Sequence, residues 1–382
     1  MAKTFGCCRF VYNHYLDIRK KAYEAGKTSI SSSACQSDMA GMKNTLTWLK
    51  EVDSTALQAS IQNLDAAYQN FFRGVKSGKH VGYPRFKSKR DSRQSFKSKK
   101  VGDNIKVLDR HIRLPKLGYI DCRVSKRVEG RILSVTVTKT PSRKYYVAIC
   151  CTDVDIAPLP STGNVVGVDL GLIDLITTSD NQKTPNHRHL AKSQKKLASL
   201  QRRLSRKQKG SNRRDKAKVK VARLHERITN QRNDALHKLS TNLVRDYDLI
   251  AIENLAPSNM VKNRRLAKSI LDVSWSEFVR QLEYKCGWYG KHIVKVDRFF
   301  PSSQLCSVCG FQSSITKDLS VREWVCTFCG TVIDRDANAA VNILNEGLRV
   351  VADTAGQAGI YARGEYVRPM AATLGEAGIP RL

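Results

Sequence analysis

Over residues 5–75, apolar side chains return at near-helical intervals. Phe10, Tyr15 and Ile18 come first, then Leu57, Ile61, Leu64, Tyr68 and Phe71. Steps of three and four residues place such side chains on one helical face, so this segment is expected to be helical. The stretch Ser77–Pro84, with Gly78 and Gly82, breaks the period. From there to about residue 160 the pattern becomes strand-like. Ile132–Thr138 and Tyr145–Ile149 are β-branched and aromatic runs joined by Lys139–Arg143 as a turn. A linker, Ala157–Gly163, leads to Val165–Gly171, an apolar run suited to a buried central strand. Residues 190–240 return to helical spacing, with Leu197, Leu200 and Leu204 as a stripe and a break at Gly210-Ser211. Leu249–Glu253 and Ile293–Val296 read as further strands, and Trp275, Phe278 and Leu282 mark a helix between them. After about residue 348 Gly and Ala dominate without periodicity, so a mobile tail is expected over 348–382.

A chain of 382 residues has room for two or three domains. Its 66 Lys and Arg against 34 Asp and Glu leave a net charge of +32. That excess repels itself unless a polyanion neutralises it, which points to nucleic acid. Membrane association is disfavoured, because no apolar run approaches the length of a span and no basic helix carries a large aromatic face. The first residues lack an apolar signal core, so a cytoplasmic protein with reduced cysteines is expected. Between residues 79 and 127 sixteen Lys or Arg face four acids, interleaved with Tyr83, Phe86, Phe96 and Tyr119. A small β-barrel with a basic, aromatic-dotted surface would suit nucleic acid there. Residues 191–240 hold seventeen Lys or Arg against three acids, as expected of a helical hairpin laid along a phosphate backbone.

Two constellations carry chemistry. Cys306, Cys309, Cys326 and Cys329 form two Cys-x-x-Cys pairs with sixteen residues between them. Two such turns present four thiolates to one tetrahedral Zn²⁺ and leave no open position, as in a structural site. The other seven cysteines lack ligand spacing and read as small core residues. The second constellation is acidic. Asp169 and Glu253 end apolar strands, and Asp336 opens the helical run Ala337–Leu344 just after Asp334. Three acids at element ends could meet at one sheet edge and hold two Mg²⁺ or Mn²⁺ ions for phosphodiester cleavage. Singly, each has a plain alternative: a strand end, a partner for a nearby Arg, a helix cap.

The phrases Gly167-Val168-Asp169-Leu170-Gly171, Ile252-Glu253-Asn254-Leu255, Pro301–Gly310 and Asp334–Ala340 together resemble the TnpB family of transposon-encoded, RNA-guided DNA nucleases related to type V CRISPR effectors. Arg9–Asn13, Val81–Phe86 and Gln281–Lys285 match as well, so the likeness runs from about residue 5 to 345. It implies a multidomain α/β protein with a helical recognition lobe over 1–78, a β-barrel wedge domain over 79–160 and a split RuvC (RNase H-like) nuclease domain over 161–347. Within the last lie the basic hairpin at 190–240 and an inserted four-cysteine zinc ribbon at 303–331. The implied catalytic acids are Asp169, Glu253 and Asp336, with Asp334 the neighbour set aside. The implied partners are a guide RNA from the transposon end and double-stranded target DNA, held by a monomeric ribonucleoprotein. The family's motif-reading helix falls on residues 53–64, where Gln58 is the expected base contact because an amide can pair bidentately with adenine. Ser54 and Thr55 flank it. Only eight residues precede Arg9, so the family's opening wedge strand is expected to be missing. Two other functions fit the same residues less fully. One is a guide-dependent repressor that binds without cutting. The other is a DNA-binding accessory of transposition that needs no RNA.

Overall fold

A computed structural model describes residues 1–358 except 79 and 319, with side chains described to residue 353. The chain divides into two compact units, Met1–Asp155 and a second beginning at Ile156.

The first unit opens with three helices, α1 (Ala2–Gly26), α2 (Ser32–Thr45) and α3 (Ser54–Lys76). Capping explains two of the starts: Ser31 accepts the Ala34 N–H, and Asp53 accepts the Thr55 N–H. Val11, Tyr15, Leu57, Ile61 and Leu64 are at most 1% exposed and form one core with strand residues. Those strands are β1 (Gln94–Lys99), β2 (Lys106–Val107), β3 (His111–Leu114), β4 (Gly118–Asp121), β5 (Arg131–Lys139) and β6 (Tyr145–Thr152). They make two antiparallel sheets, β1-β5-β6 and β2-β3-β4. No ladder among the described residues closes them into the barrel that the sequence suggested. The β5–β6 hairpin forms where expected, but strands β2 to β4 are only two to four residues long and pair among themselves. Phe96 also departs from expectation. It is buried against Phe5, with ring centres 5.2 Å apart, so it serves the core rather than a nucleic-acid face.

The second unit is built on a five-stranded sheet: β7 (Val165–Leu170), β8 (Asp174–Thr178), β9 (Lys183–Pro185), β10 (Leu249–Glu253) and β11 (His292–Val296), in the order β11-β10-β7-β8-β9. β7, β10 and β11 run parallel, β8 pairs antiparallel with β7, and β9 pairs antiparallel with β8. Between β9 and β10 lies a helical hairpin, α4 (His189–Ser205) and α5 (Asn212–Asp246). Its seam is Leu197 against Leu224 and Ile228. Two short helices, α6 (Pro257–Met260) and α7 (Ala267–Val273), precede α8 (Trp275–Tyr289). Asp248, ahead of β10, ties the linker down by accepting the N–H groups of Thr162 and Gly163 and by pairing with buried Lys291. After the small antiparallel pair β12 (Glu323–Val325) and β13 (Val332–Asp334) comes α9 (Arg335–Ala358). It runs well past residue 348, where the tail was expected to begin; residues 359–382 lie outside the described residues.

Strand alternation decides what each face of this sheet does. Val166, Val168, Leu170, Ile250 and Ile252 point into the core shared with α5 and α8. The intervening Gly167, Asp169, Ala251 and Glu253 therefore face the other side, where α9 packs and Ala251 meets Ile343. α9 lies very close. A Cβ at Gly167 would fall 2.0 Å from the Ala340 carbonyl oxygen, and one at Gly347 would fall 2.5 Å from Ala251 Cβ. Gly167→Ala should thus push α9 off β7 and destabilise the unit by roughly 2–3 kcal/mol. Chemical denaturation would measure it, and an unchanged midpoint would mean that α9 does not press on the sheet.

Candidate functional site

The parallel register of β10 on β7 pairs Ile252 with Val168, so Glu253 and Asp169 follow in step at the carboxyl ends of adjacent central strands. Both belong to the α9 face. α9 begins immediately above that edge and contributes Asp336 in its first turn. Distant segments are thereby brought together in one electrostatic neighbourhood. Burial raises the Asp169 carboxyl well above its ordinary range, and the charges of Glu253 and Asp336 raise it further, against relief from Arg335 and Arg322. Burial also pushes Glu253 up, opposed by the Ser302 hydroxyl, which donates to Oε1 at 2.9 Å.

Asp334 and Asp336 sit two residues apart and behave differently. Asp334 Oδ1 accepts the Ala337 N–H at 2.9 Å, capping α9, while Oδ2 takes Lys183 Nζ at 2.6 Å. Burial opposes its ionisation, yet these bonds outweigh burial and hold its carboxyl below the usual range. Its oxygens are occupied by structural partners. Asp336 instead faces Asp169 electrostatically and is met by Arg322, whose Nη1 lies 3.3 Å from Oδ2.

The four sulfurs form the second part. Among the described residues they are the one group of three or more candidate ligands whose donor atoms all lie within 4.8 Å of one another. Cys306 and Cys329 are 3.7 Å apart, and Cys309 and Cys326 3.6 Å. A tetrahedron of Zn–S bonds of about 2.3 Å has edges of about 3.8 Å, so the set fits zinc. Two of the thiols are shifted in opposite directions. Hydrogen bonds from Thr331 draw Cys329 down to about 6. At Cys309 the Phe311 N–H favours the thiolate, but burial and the other sulfurs prevail and push it up to about 12. A bound dication would let all four ionise.

This ribbon is stitched to the acidic edge. Asn338 of α9 accepts the Ser307 N–H at 2.8 Å and donates to the Leu305 carbonyl at 2.6 Å. Asn342, one turn on, donates to the carbonyls of Ser302 and Leu305. Buried Arg335 donates to the Asp318 carbonyl at 3.1 Å.

Ser302, Lys183 and Arg322 were not singled out from the sequence as site residues. Ser302 lies inside the Pro301–Gly310 motif, but nothing in the sequence names its partner. Lys183 and Arg322 are single cations in a very basic chain, with no spacing to mark them. Gln58 lies in the other unit, half-buried on α3 with Thr55 one turn before it, and Thr55 Oγ1 accepts the Lys99 N–H at 3.0 Å. Among the described residues no helix is long and apolar enough to cross a membrane.

A sheet edge carrying acids from β7, β10 and α9, beside a four-cysteine cluster that fits a zinc ribbon, defines the class of protein. Three family models match in order: a helix-turn-helix domain over residues 1–28, a probable transposase over 148–264, and a Cas12f1-like TNB domain over 275–343. The chain is 40% identical to a Streptomyces pristinaespiralis protein named "Putative RNA-guided DNA endonuclease", over 92% of this chain and 86% of that one. It is 37% identical to "Putative RNA-guided DNA endonuclease InsQ" of Escherichia coli, over 92% of this chain and 89% of that one. The Cas12f1 chain of a Cas12f1-sgRNA-target DNA complex shares the fold, with TM-score 0.54 at 14% identity, covering 90% of this chain and 81% of that one. This chain belongs to the TnpB (IS605 OrfB transposase) family.

Proposed function

We propose that the chain is an RNA-guided, divalent-metal-dependent DNA endonuclease that recognises a short target-adjacent motif and cleaves DNA paired to a transposon-derived guide RNA. The observation that supports this most is the meeting of Asp169, Glu253 and Asp336 at one edge, where Asp169 bears the electrostatic burden of the other two. Carboxylate oxygens are hard donors suited to Mg²⁺ or Mn²⁺. Two ions sharing Asp169 would suit an acid set of this kind. When bound, such ions would activate water and steady the leaving oxygen of a phosphodiester. The protein's own groups do the rest. Ser302 orients Glu253 through its hydroxyl, Arg322 offers a cation beside Asp336 for a non-bridging phosphate oxygen, and Asp334 fixes the start of α9. The four thiolates hold a structural Zn²⁺. Gln58, with Ser54 and Thr55, reads the adjacent motif. The working form is a monomeric ribonucleoprotein in the cytoplasm, organised as a recognition lobe, a wedge domain and a split RuvC-like nuclease domain. The chain names of its relatives and the net charge of +32 support both nucleic-acid partners.

The test is reconstitution with co-purified RNA, a matched DNA target and Mg²⁺. Cutting is expected to require all three and to stop with a chelator. Guide-dependent retention of target without cutting in Mg²⁺ or Mn²⁺ would make the protein a repressor. Target binding unchanged by RNA removal would make it an RNA-independent accessory.

A further inference from the structure

Between Tyr68 and Arg90 the chain has seven Lys or Arg and no acid. The same stretch carries Tyr68, Phe71, Phe72, Tyr83 and Phe86. Tyr68 borders the unit's buried core, whereas Phe72, Tyr83 and Phe86 are exposed. Tyr83 meets Tyr68 edge-on at 5.5 Å and Phe71 at 5.4 Å, and Phe72 lies nearly parallel to Tyr68 at 6.3 Å. Yet Phe72 is 55% exposed and Phe86 54%. Leaving such rings in water is unfavourable for a surface with no occupant.

The segment that presents them is irregular but anchored. Among the described residues after α3 there is no helix or strand until β1. Tyr83 is tied to Tyr68 by a hydroxyl–hydroxyl bond of 2.9 Å. Four residues on, Asn13 brackets the Lys87 backbone, donating to its carbonyl at 2.9 Å and accepting its N–H at 2.8 Å. The Lys87 ammonium lies 4.0 Å from the Tyr12 ring centre. Arg85 and Phe86 are therefore held outward between two fixed points. The flanking acids are engaged: Asp65 pairs with Arg19, and Asp91 accepts the Ser88 N–H.

We propose that this strap and the end of α3 form a stacking platform for an unpaired stretch of RNA. Ring faces beside cations suit bases whose faces are free, and a duplex hides those faces in its own stack. The choice of RNA rests on the functional reading above: the unpaired strand present before any target arrives is the guide's own. A surface assembled without its ligand suits such a permanent partner.

The experiment is fluorescence anisotropy on the full chain with labelled single-stranded oligoadenylate RNA, its duplex with oligouridylate, and single-stranded oligo(dA). High salt suppresses the contribution of the remaining basic surface. Phe72→Ala with Phe86→Ala is expected to weaken single-stranded RNA binding about tenfold or more, leaving the salt slope and duplex binding unchanged. Both side chains are exposed, so circular dichroism should be unaltered. Arg85→Gln should lower the salt slope by about 0.7. Wild-type affinity in the double variant would overturn the platform alone. A larger loss on oligo(dA) than on RNA would assign the surface to a DNA strand and overturn the RNA proposal. Failure of the wild type to bind any RNA would overturn both this inference and the guide reading.

Discussion

Asp169→Asn is expected to reduce target cleavage by roughly three orders of magnitude or more while leaving RNA and DNA binding within about twofold. The substitution keeps shape and hydrogen-bonding capacity but removes the charge that two ions would share. Asp169 stands on the central strand β7 and bears the repulsion of both Glu253 on β10 and Asp336 at the head of α9. Its loss would therefore disturb both proposed ion positions at once. Removing it also relieves repulsion in the ion-free protein, because Glu253 and Asp336 both work against its ionisation. Asp169→Asn should consequently be at least as stable as the parent by thermal unfolding. Loss of activity with retained or increased stability separates a catalytic acid from a structural one. Asp334→Asn supplies the contrast. It weakens the cap on Ala337 and the pair with Lys183, which should lower stability by about 1 kcal/mol and slow cleavage about tenfold. Cleavage by Asp169→Asn at the parental rate would sink the assignment. So would a loss in Asp334→Asn as deep as that in Asp336→Asn, which would exchange the two acids' roles.

Much of this arrangement was legible in the residues because it depends on local rules. The apolar runs Val165–Leu170 and Leu249–Glu253 are enough to mark two buried strands, with Asp169 and Glu253 at their carboxyl ends. Cys-x-x-Cys spacing is enough to mark a four-thiolate site. The barrel expected over residues 79–160 was not legible, because closure depends on which short strands pair. Runs of two to four residues such as Lys106–Val107 carry no signal for their partners. Phe96 misled for a related reason. An aromatic within a basic stretch looks like a nucleic-acid contact, but strand alternation turned it toward Phe5. Arg322, Lys183 and Ser302 became visible only in three dimensions, since each meets its carboxylate across fourteen residues or more.

Loss of the metal from the ribbon should be almost as damaging as loss of Asp169, by a different route. Cys306→Ser is expected to abolish stoichiometric zinc, lower the thermal midpoint and reduce cleavage roughly a hundredfold or more. The ribbon's own core is small: Trp324 and Ile333 packed with two of the cysteines. Without the metal such a core cannot hold itself folded. What unfolds with it is specific. Ser302 leaves Glu253, the carbonyls of Ser302 and Leu305 leave Asn342 and Asn338, and Arg322 leaves Asp336. Two of the three acids thus lose a positioning partner, and α9 loses its stitching beside the third. Asn338→Ala distinguishes this brace from a ribbon that matters only for contacting nucleic acid. It cuts the stitching but leaves all four thiolates, so zinc content should stay at one ion per chain while cleavage falls about tenfold. Full cleavage by Asn338→Ala, with Cys306→Ser impaired only in DNA binding, would show that the ribbon serves the DNA and not the acids. Full cleavage by a zinc-free Cys306→Ser protein would show that it serves neither.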